Sequence, residues 1–170
     1  MARRLFALFR TAIFAGVVVS MAVWFIPRWF HGGTLPPPAN QAGYPVMLIA
    51  ALILYRCFWD FAWRGLGTPA IFDPPRRLVV TGLYRWVRNP MYAGMVLLVI
   101  GEAILYADIR RQMLWLAAIF WLAATIFVWI YEEPVLREKF GTDYVAYCAA
   151  VRRWIPRLKP FDNSSAATIQ

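Results

Sequence analysis

The sequence predicts an all-α integral-membrane bundle of about four transmembrane helices, followed by amphipathic C-terminal helices. Of the 170 residues, 61% are hydrophobic and only 16% are charged, whereas soluble domains are about 45–50% apolar and about 25% charged. The apolar residues fall in four long runs, and about 20 such residues cross a bilayer. Aromatic residues make up 17% of the chain, which suits membrane interfaces.

The basic excess and the few metal-binding side chains limit the possible partners. Nucleic-acid binding is one interpretation of the net charge of +9. The basic residues flank apolar runs, however, which favours a membrane protein. The single histidine, His31, excludes a His-cluster metal site. Cys57 and Cys148 lie far apart without a CxxC pattern, so we expect two small buried side chains rather than a disulfide framework. We expect neither nucleic acid nor metal as a partner.

The first apolar run covers residues 11–27, between Arg10 and Arg28. It is long enough for a span or for the apolar core of a signal peptide, but no small-residue cleavage site follows. We therefore predict a retained helix that ends at Pro27. Three consecutive prolines at 36–38 then predict an extended loop.

The second run covers residues 44–63 and contains Arg56 and Asp60, which share a helix face because they are four residues apart. Since an unpaired charge is costly in lipid, the structural interpretation is that the two side chains pair. A contact with a substrate headgroup is the alternative. Glycine and proline at 65–69 predict a helix break, and a polar, proline-rich stretch follows at 72–77.

The third and fourth runs, 91–106 and 113–131, are joined by a short polar turn, which predicts an antiparallel helical hairpin. Asn89 and Pro90 predict the start of the third helix, because Asn is a good N-cap and Pro fits the first helical position. After residue 131 the chain is charged and amphipathic. We divide the whole chain into a two-span segment at 1–64, a core at 65–160 and a disordered tail at 161–170.

The distribution of arginine and lysine orients the predicted spans. With the N-terminus in the cytoplasm, fourteen of these residues lie inside, at 1–10, 64–88 and 132–160. Three lie outside, namely Arg28, Arg110 and Arg111. Because positive charge favours the cytoplasmic side, we expect both termini to be cytoplasmic. A bacterial inner membrane is the expected location. Residues 65–90 and 132–156 then share one face.

The start of the third helix is a candidate anion site. We expect free backbone N–H groups and the positive end of the helix dipole at this point, with Arg88 beside them. Such a cradle suits a carboxylate or a phosphate, and Tyr92 lies in the first turn. The alternative is an interfacial anchor, since Arg, Trp and Tyr are common at membrane boundaries.

Glu132 and Glu133 follow the fourth run directly. Acidic residues at a helix C-terminus oppose the helix dipole, so their position is locally unfavourable and hints at a function. Aromatic residues then recur at helical spacing, with Gly141 predicting a turn between two short helices. These rings pack on the bundle in the structural interpretation and stack on a cofactor in the functional one.

The two regions together resemble a superfamily of membrane methyltransferases that includes isoprenylcysteine carboxyl methyltransferase and phospholipid N-methyltransferases. The family pattern begins Gly-x-Tyr-x-x-x-Arg-His-Pro-x-Tyr-x-Gly, and a Glu-Glu pair, Phe-Gly-x-x-Tyr-x-x-Tyr and Ile-Pro follow. The first part is matched by Gly82, Tyr84, Arg88, Asn89, Pro90, Tyr92 and Gly94. The second part is matched by Glu132, Glu133, Phe140, Gly141, Tyr144, Tyr147, Ile155 and Pro156. The match covers about half of the chain.

The resemblance implies an S-adenosylmethionine pocket between the C-terminal helices and the bundle, and a lipid-like or hydrophobic methyl acceptor that enters from the bilayer. It implies catalytic roles for Arg88, Glu132 and Glu133. The implied cofactor-binding residues are Tyr84, Arg88, Asn89, Tyr92, Glu132, Glu133 and Tyr144. The family histidine is Asn89 here, and Asn can donate a hydrogen bond but cannot titrate near pH 7.

Two other functions remain open at the level of sequence. Some sterol reductases that use a reduced nicotinamide cofactor carry a related motif, although the Glu-Glu pair favours the methyltransferase. A non-catalytic membrane scaffold is the second alternative, and Asn89 supports it. A Rossmann site is excluded, because the chain has neither strand–helix alternation nor a GxGxxG after a strand. A Ser-His-Asp triad is excluded, because His31 is the single histidine and is predicted to lie on the extracytoplasmic side of the membrane, opposite the candidate site.

Overall fold

The computed structural model describes residues 2–61, 63 and 78–161. Within these residues the regular structure is helical and there is no strand, which confirms the all-α class for this part of the chain. The α-helices are α1 (Ala2–Ser20), α2 (Ile26–Phe30), α3 (Gly43–Asp60), α4 (Pro90–Leu105), α5 (Arg110–Phe127) and α6 (Glu133–Ala150). The predicted break at 65–69, the polar stretch at 72–77 and nearly all of the predicted tail lie outside the described residues.

Two helices of the described chain are long and apolar enough to cross a membrane. One is α3. The other is the helical segment from Arg110 to Ala150, in which α5 leads through a π-helical turn, Val128–Glu132, into α6, with a kink at Gly141. The apolar helices Ala15–Phe30 and Pro90–Leu105 are shorter. The four-span arrangement therefore stays a prediction.

The first helical segment continues past the point at which the sequence predicts its end. A π-helical turn, Met21–Phe25, joins α1 to α2, and α2 extends to Phe30. The expectation that the helix ends at Pro27 is therefore wrong. Proline lacks an N–H and its ring collides with the carbonyl four residues earlier. The wide turn before Pro27 provides the local adjustment that lets the helix continue.

α4 is the central helix of the bundle, and it packs against α3 on one side and α5 on the other. The predicted hairpin of α4 and α5 is confirmed. The contact between α3 and α4 depends on glycine, because a Cβ atom on Gly43 would lie 2.6 Å from the carbonyl oxygen of Gly101. Small residues let helix backbones approach closely in membrane proteins.

The helix containing Glu132 and Glu133 does not end at these residues, because α6 follows the π-helical turn without a break. The predicted conflict between these carboxylates and a helix C-terminus is therefore wrong. The chain kinks at Gly141, whose φ is 51° and ψ is −128°. This agrees with the predicted turn, since glycine adopts positive φ at little cost.

Residues 151–161, here called the C-terminal strap, return from the end of α6 to the segment that precedes α4. The backbone N–H of Arg157 donates to the carbonyl of Trp86 at 2.9 Å, and that of Phe161 donates to the carbonyl of Arg85 at 2.9 Å. The Arg85 Nε also donates to the carbonyl of Phe161 at 2.6 Å. The strap thus lies beside the predicted site.

Candidate functional site

Arg88, Glu133 and Arg153 form a charge cluster between the start of α4, the start of α6 and the strap. The Glu133 side chain is 5% exposed. Arg153 donates to it twice, from Nε to Oε1 at 2.5 Å and from Nη2 to Oε2 at 2.8 Å. Arg88 Nη1 donates to Oε1 at 3.1 Å. Such bidentate, charge-assisted contacts fix both partners in orientation as well as in distance.

The surroundings of Glu133 favour its ionised form. Burial alone would raise the pKa of this carboxyl group, but the hydrogen bonds from Arg153 and the positive charges of Arg88 and Arg153 lower it further than burial raises it. The net result is a pKa below the usual value. The same contacts raise the pKa of Arg153. With two cations and one anion, the charge cluster carries a net positive charge.

Cys148 lies against the charge cluster, with its Sγ atom 2.7 Å from Arg88 Nη1. Cys57 is buried as expected, whereas Cys148 is partly exposed. The Arg88 Nε is buried and has no hydrogen-bond partner in the described part of the chain. An acceptor from outside these residues would satisfy that donor, because a buried unpaired donor is costly.

Glu132 points to a different neighbour from Glu133. The Tyr92 hydroxyl donates to Glu132 Oε2 at 3.2 Å. Burial raises the pKa of Glu132, the hydrogen bond from Tyr92 lowers it, and the charge of Glu133 raises it, so that the net shift is upward. The two adjacent carboxyl groups therefore have pKa values shifted in opposite directions, a pattern that separates the roles of paired acids.

The start of α4 differs from the predicted open cradle. α4 begins at Pro90 as expected, but the Asn89 side chain makes no capping hydrogen bond. Its Nδ2 donates instead to the carbonyl of Arg153 at 3.3 Å. The backbone N–H of Arg88 donates to the carbonyl of Arg152, and that of Asn89 to the carbonyl of Arg153. The expectation of free N–H groups at the start of the helix is wrong for Asn89, because the strap supplies its acceptor.

Tyr84 and Tyr144 lie in packed surroundings. The ring of Tyr84 contacts Phe61 edge-on, with 5.6 Å between the ring centroids. The Tyr84 carbonyl accepts a hydrogen bond from the Tyr147 hydroxyl at 2.7 Å. Tyr144 is 4% exposed in a core that includes Tyr147. These positions favour packing over stacking on a cofactor, and the cofactor role of both residues stays a prediction.

The ion pair expected within the second span is present. Arg56 Nη2 lies 3.2 Å from Asp60 Oδ1. The pair packs under Gly82, where φ is 55° and where a Cβ atom would collide with the Asp60 carboxylate. Arg56 and Asp60 thus support the loop that leads into the site, as the structural interpretation proposes.

Sequence reasoning missed two members of the site, Arg153 and Cys148. Arg153 stands just before the Ile-Pro pair that ends the family pattern, yet nothing in its spacing identifies Glu133 as its partner. Cys148 lies one helical turn after Tyr144. That spacing places the two on the same helix face and could have suggested its proximity to the site.

The region that contains much of the site also matches a protein-family model. The model of the phospholipid methyltransferase family matches residues 39–143, which is more than half of the sequence. The chain belongs to this family. Its members are membrane methyltransferases, as the motifs suggested. No curated protein and no solved structure matches the chain significantly.

The family match includes some parts of the site and not others. It contains α3 through α5 and the Glu132–Glu133 pair, and it ends before Tyr144, Cys148 and the strap. It also begins before α3, the second predicted span, in which we identified no family motif. Among the described residues, no group of three His, Cys, Asp or Glu side chains could hold a metal ion.

Proposed function

We propose that this methyltransferase uses S-adenosylmethionine to methylate a lipid-like or hydrophobic acceptor, and that the charge cluster and Glu132 form its site. The observation that best supports this proposal is that two adjacent glutamates lie in different environments. Glu133 is held by two arginines, whereas Glu132 accepts a hydrogen bond from the Tyr92 hydroxyl. Family membership supports methyl transfer as the chemistry.

The donor groups present fit this cofactor. Its carboxylate needs cationic donors, and the buried Arg88 Nε has no acceptor in the described chain. Its ammonium and ribose hydroxyl groups need acceptors, which the carboxylate of Glu132 can provide. Arg88 and Glu132 would therefore hold it, with Asn89 and Tyr92 beside them. When bound, S-adenosylmethionine supplies an electrophilic methyl group.

The two glutamates have separate roles in this proposal. Glu133 is a positioning residue, since its oxygens accept three hydrogen bonds that orient Arg88 and connect it to the strap. Glu132 has the raised pKa and accepts one hydrogen bond where Glu133 accepts three, so it is the better proton acceptor. An amine acceptor loses a proton when it is methylated, and Glu132 would take that proton. A carboxylate or thiolate acceptor needs no base.

Asn89 is compatible with the proposed site. Its amide donates to the Arg153 carbonyl and therefore holds the strap against the start of α4. That role needs a hydrogen-bond donor and not a titrating group. The substitution of the family histidine thus leaves cofactor binding possible, while proton transfer falls to Glu132.

We further propose that the acceptor enters sideways from the bilayer of a bacterial inner membrane and that both termini are cytoplasmic. The site is built from residues near the ends of apolar helices, so an amphipathic acceptor can place its headgroup there and its tail in lipid. Substrate alignment and exclusion of water would supply much of the rate enhancement, since positioning alone can contribute about 7–11 kcal/mol.

The proposal can be tested by following a labelled methyl group. The purified protein in lipid nanodiscs is incubated with methyl-labelled S-adenosylmethionine and with an amine-headed or a carboxyl-terminated lipid, and the lipid is then counted. We expect label in the lipid. If the acceptor is an amine, Glu132→Gln should lower kcat about 100-fold or more, in the range of lost general-base catalysis. Label in neither lipid, with folded and cofactor-binding protein, would exclude both acceptor classes.

A further inference from the structure

The C-terminal strap combines exposed apolar side chains with exposed positive charge. Leu158 is 97% exposed and Ile155 is 60% exposed. Arg152 and Lys159 are also exposed, and residues 151–161 contain no Asp or Glu. Exposed apolar side chains among cations are typical of segments that lie in the headgroup region of an anionic bilayer.

The strap lies beside a membrane-spanning helix. The Trp154 ring packs against the ring of Trp121, with 6.3 Å between centroids. Trp121 belongs to α5, which is part of one of the two helical segments of the described chain that are long and apolar enough to cross a membrane, and is itself 46% exposed. Tryptophan is enriched where lipid meets water. This contact places the strap against the side of α5.

The strap carries cations that a lipid phosphate can reach. Arg152 and Lys159 are exposed, whereas the Nη1 atom of Arg157 is buried. The oxygens of a phosphate group are strong acceptors, and guanidinium groups bind them well.

We propose that the strap is a docking surface for anionic phospholipid headgroups of the bilayer in which the protein sits. The exposed side chains of Arg152 and Lys159 contact the phosphates, and Ile155 and Leu158 insert between the headgroups. Arg153 takes no part, because it is bound to Glu133. The inference depends neither on the cofactor nor on the methyl acceptor.

Amide hydrogen exchange tests this proposal in the full-length protein. The protein is reconstituted in nanodiscs of phosphatidylcholine, with or without phosphatidylglycerol, and exchange is followed in a peptide that covers residues 152–161. One cation near an anionic surface changes the equilibrium about fivefold. With two exposed cations in the strap, we therefore expect exchange to be more than about tenfold slower with phosphatidylglycerol. Exchange in α3 and α4 shows that the bundle remains folded.

The two lysines of the chain form a matched pair of variants. Both Lys159 and Lys139 are exposed, but only Lys159 is in the strap. Lys159→Gln should lose about fivefold of the protection by phosphatidylglycerol, and Lys139→Gln should keep it. Leu158→Asn should also reduce the protection, whereas Val145→Asn, at a 52% exposed position of α6, should not.

Three outcomes would overturn the proposal. Equal exchange in the two kinds of nanodisc would show that the strap does not bind anionic lipid. Equal loss of protection in the two lysine variants would show a general effect of net charge. Protection produced by inorganic phosphate in phosphatidylcholine nanodiscs, equal to that by phosphatidylglycerol, would assign the surface to a soluble anion.

Discussion

Arg153→Ala is the substitution that tests the charge cluster most directly. It removes two hydrogen bonds, at 2.5 and 2.8 Å, from a carboxylate that is 5% exposed. Breaking a buried ion pair costs about 3–5 kcal/mol. Because the Arg153 side chain is 40% exposed, solvent screening reduces the expected loss to about 1.5–3 kcal/mol. Arg88 still holds Glu133 at 3.1 Å.

Thermal unfolding in a mild neutral detergent measures this loss. For a chain of this size, 1 kcal/mol corresponds to about 2–4 °C in Tm, so Arg153→Ala should lower Tm by about 3–12 °C. Arg152→Ala is the matched control, because it removes the same charge from the adjacent position. It keeps the backbone carbonyl that accepts from Arg88. Equal Tm values for the two variants would refute the stabilising role of the cluster.

Three further predictions concern packing and pH. Tyr147→Phe should cost about 1–3 kcal/mol in chemical denaturation, because the buried carbonyl of Tyr84 loses its donor; an unchanged midpoint would contradict this. Gly43→Ala should cost about 1–3 kcal/mol through overpacking against α4, whereas Gly16→Ala, which meets open space, should not destabilise. The pKa of Glu133 is lowered on folding, so its stabilisation is complete above the ordinary glutamate value of 4.5 and is lost as pH falls through the lowered pKa. Glu133→Gln should remove this part of the pH dependence of Tm.

The sequence predicts the helical architecture well, because it depends on local patterns. Long apolar runs predict α3 and α5, and the Asn89–Pro90 pair predicts the start of α4 at the correct residue. The spacing of Arg56 and Asp60 predicts their ion pair. Each of these features is determined by residues that are close in sequence, so that periodicity and capping rules apply to them.

The errors come from contacts between distant parts of the chain. The strap occupies the N–H groups of Arg88 and Asn89, and it lies more than 60 residues from them. The strap also carries Arg153 to Glu133. No local rule predicts such pairings.

A second, local kind of error concerns helix continuity. The helix across Pro27 and the continuous helix through Glu132 were missed because each contains a π-helical turn, which has no reliable pattern in sequence.

Arg110 and Arg111 are the two positions at which a control variant for binding experiments can be made. Arg110 and Arg111 both lie at the start of α5, away from the charge cluster. Arg110 Nε donates to the carbonyl of Ala103 at 3.1 Å, so its replacement would disturb the turn between α4 and α5. Arg111 is exposed, and Arg111→Ala is therefore the cleaner control.

Calorimetric binding of S-adenosylhomocysteine to the purified protein in detergent tests the central claim most directly. The account predicts micromolar binding by the wild type and by Arg111→Ala, loss of binding in Arg88→Ala with the fold intact, and no binding of a reduced nicotinamide nucleotide. Binding of the nucleotide alone would indicate the reductase, and binding of neither by folded protein would indicate a scaffold. Equal binding of S-adenosylhomocysteine by wild type and Arg88→Ala would contradict the location of the site.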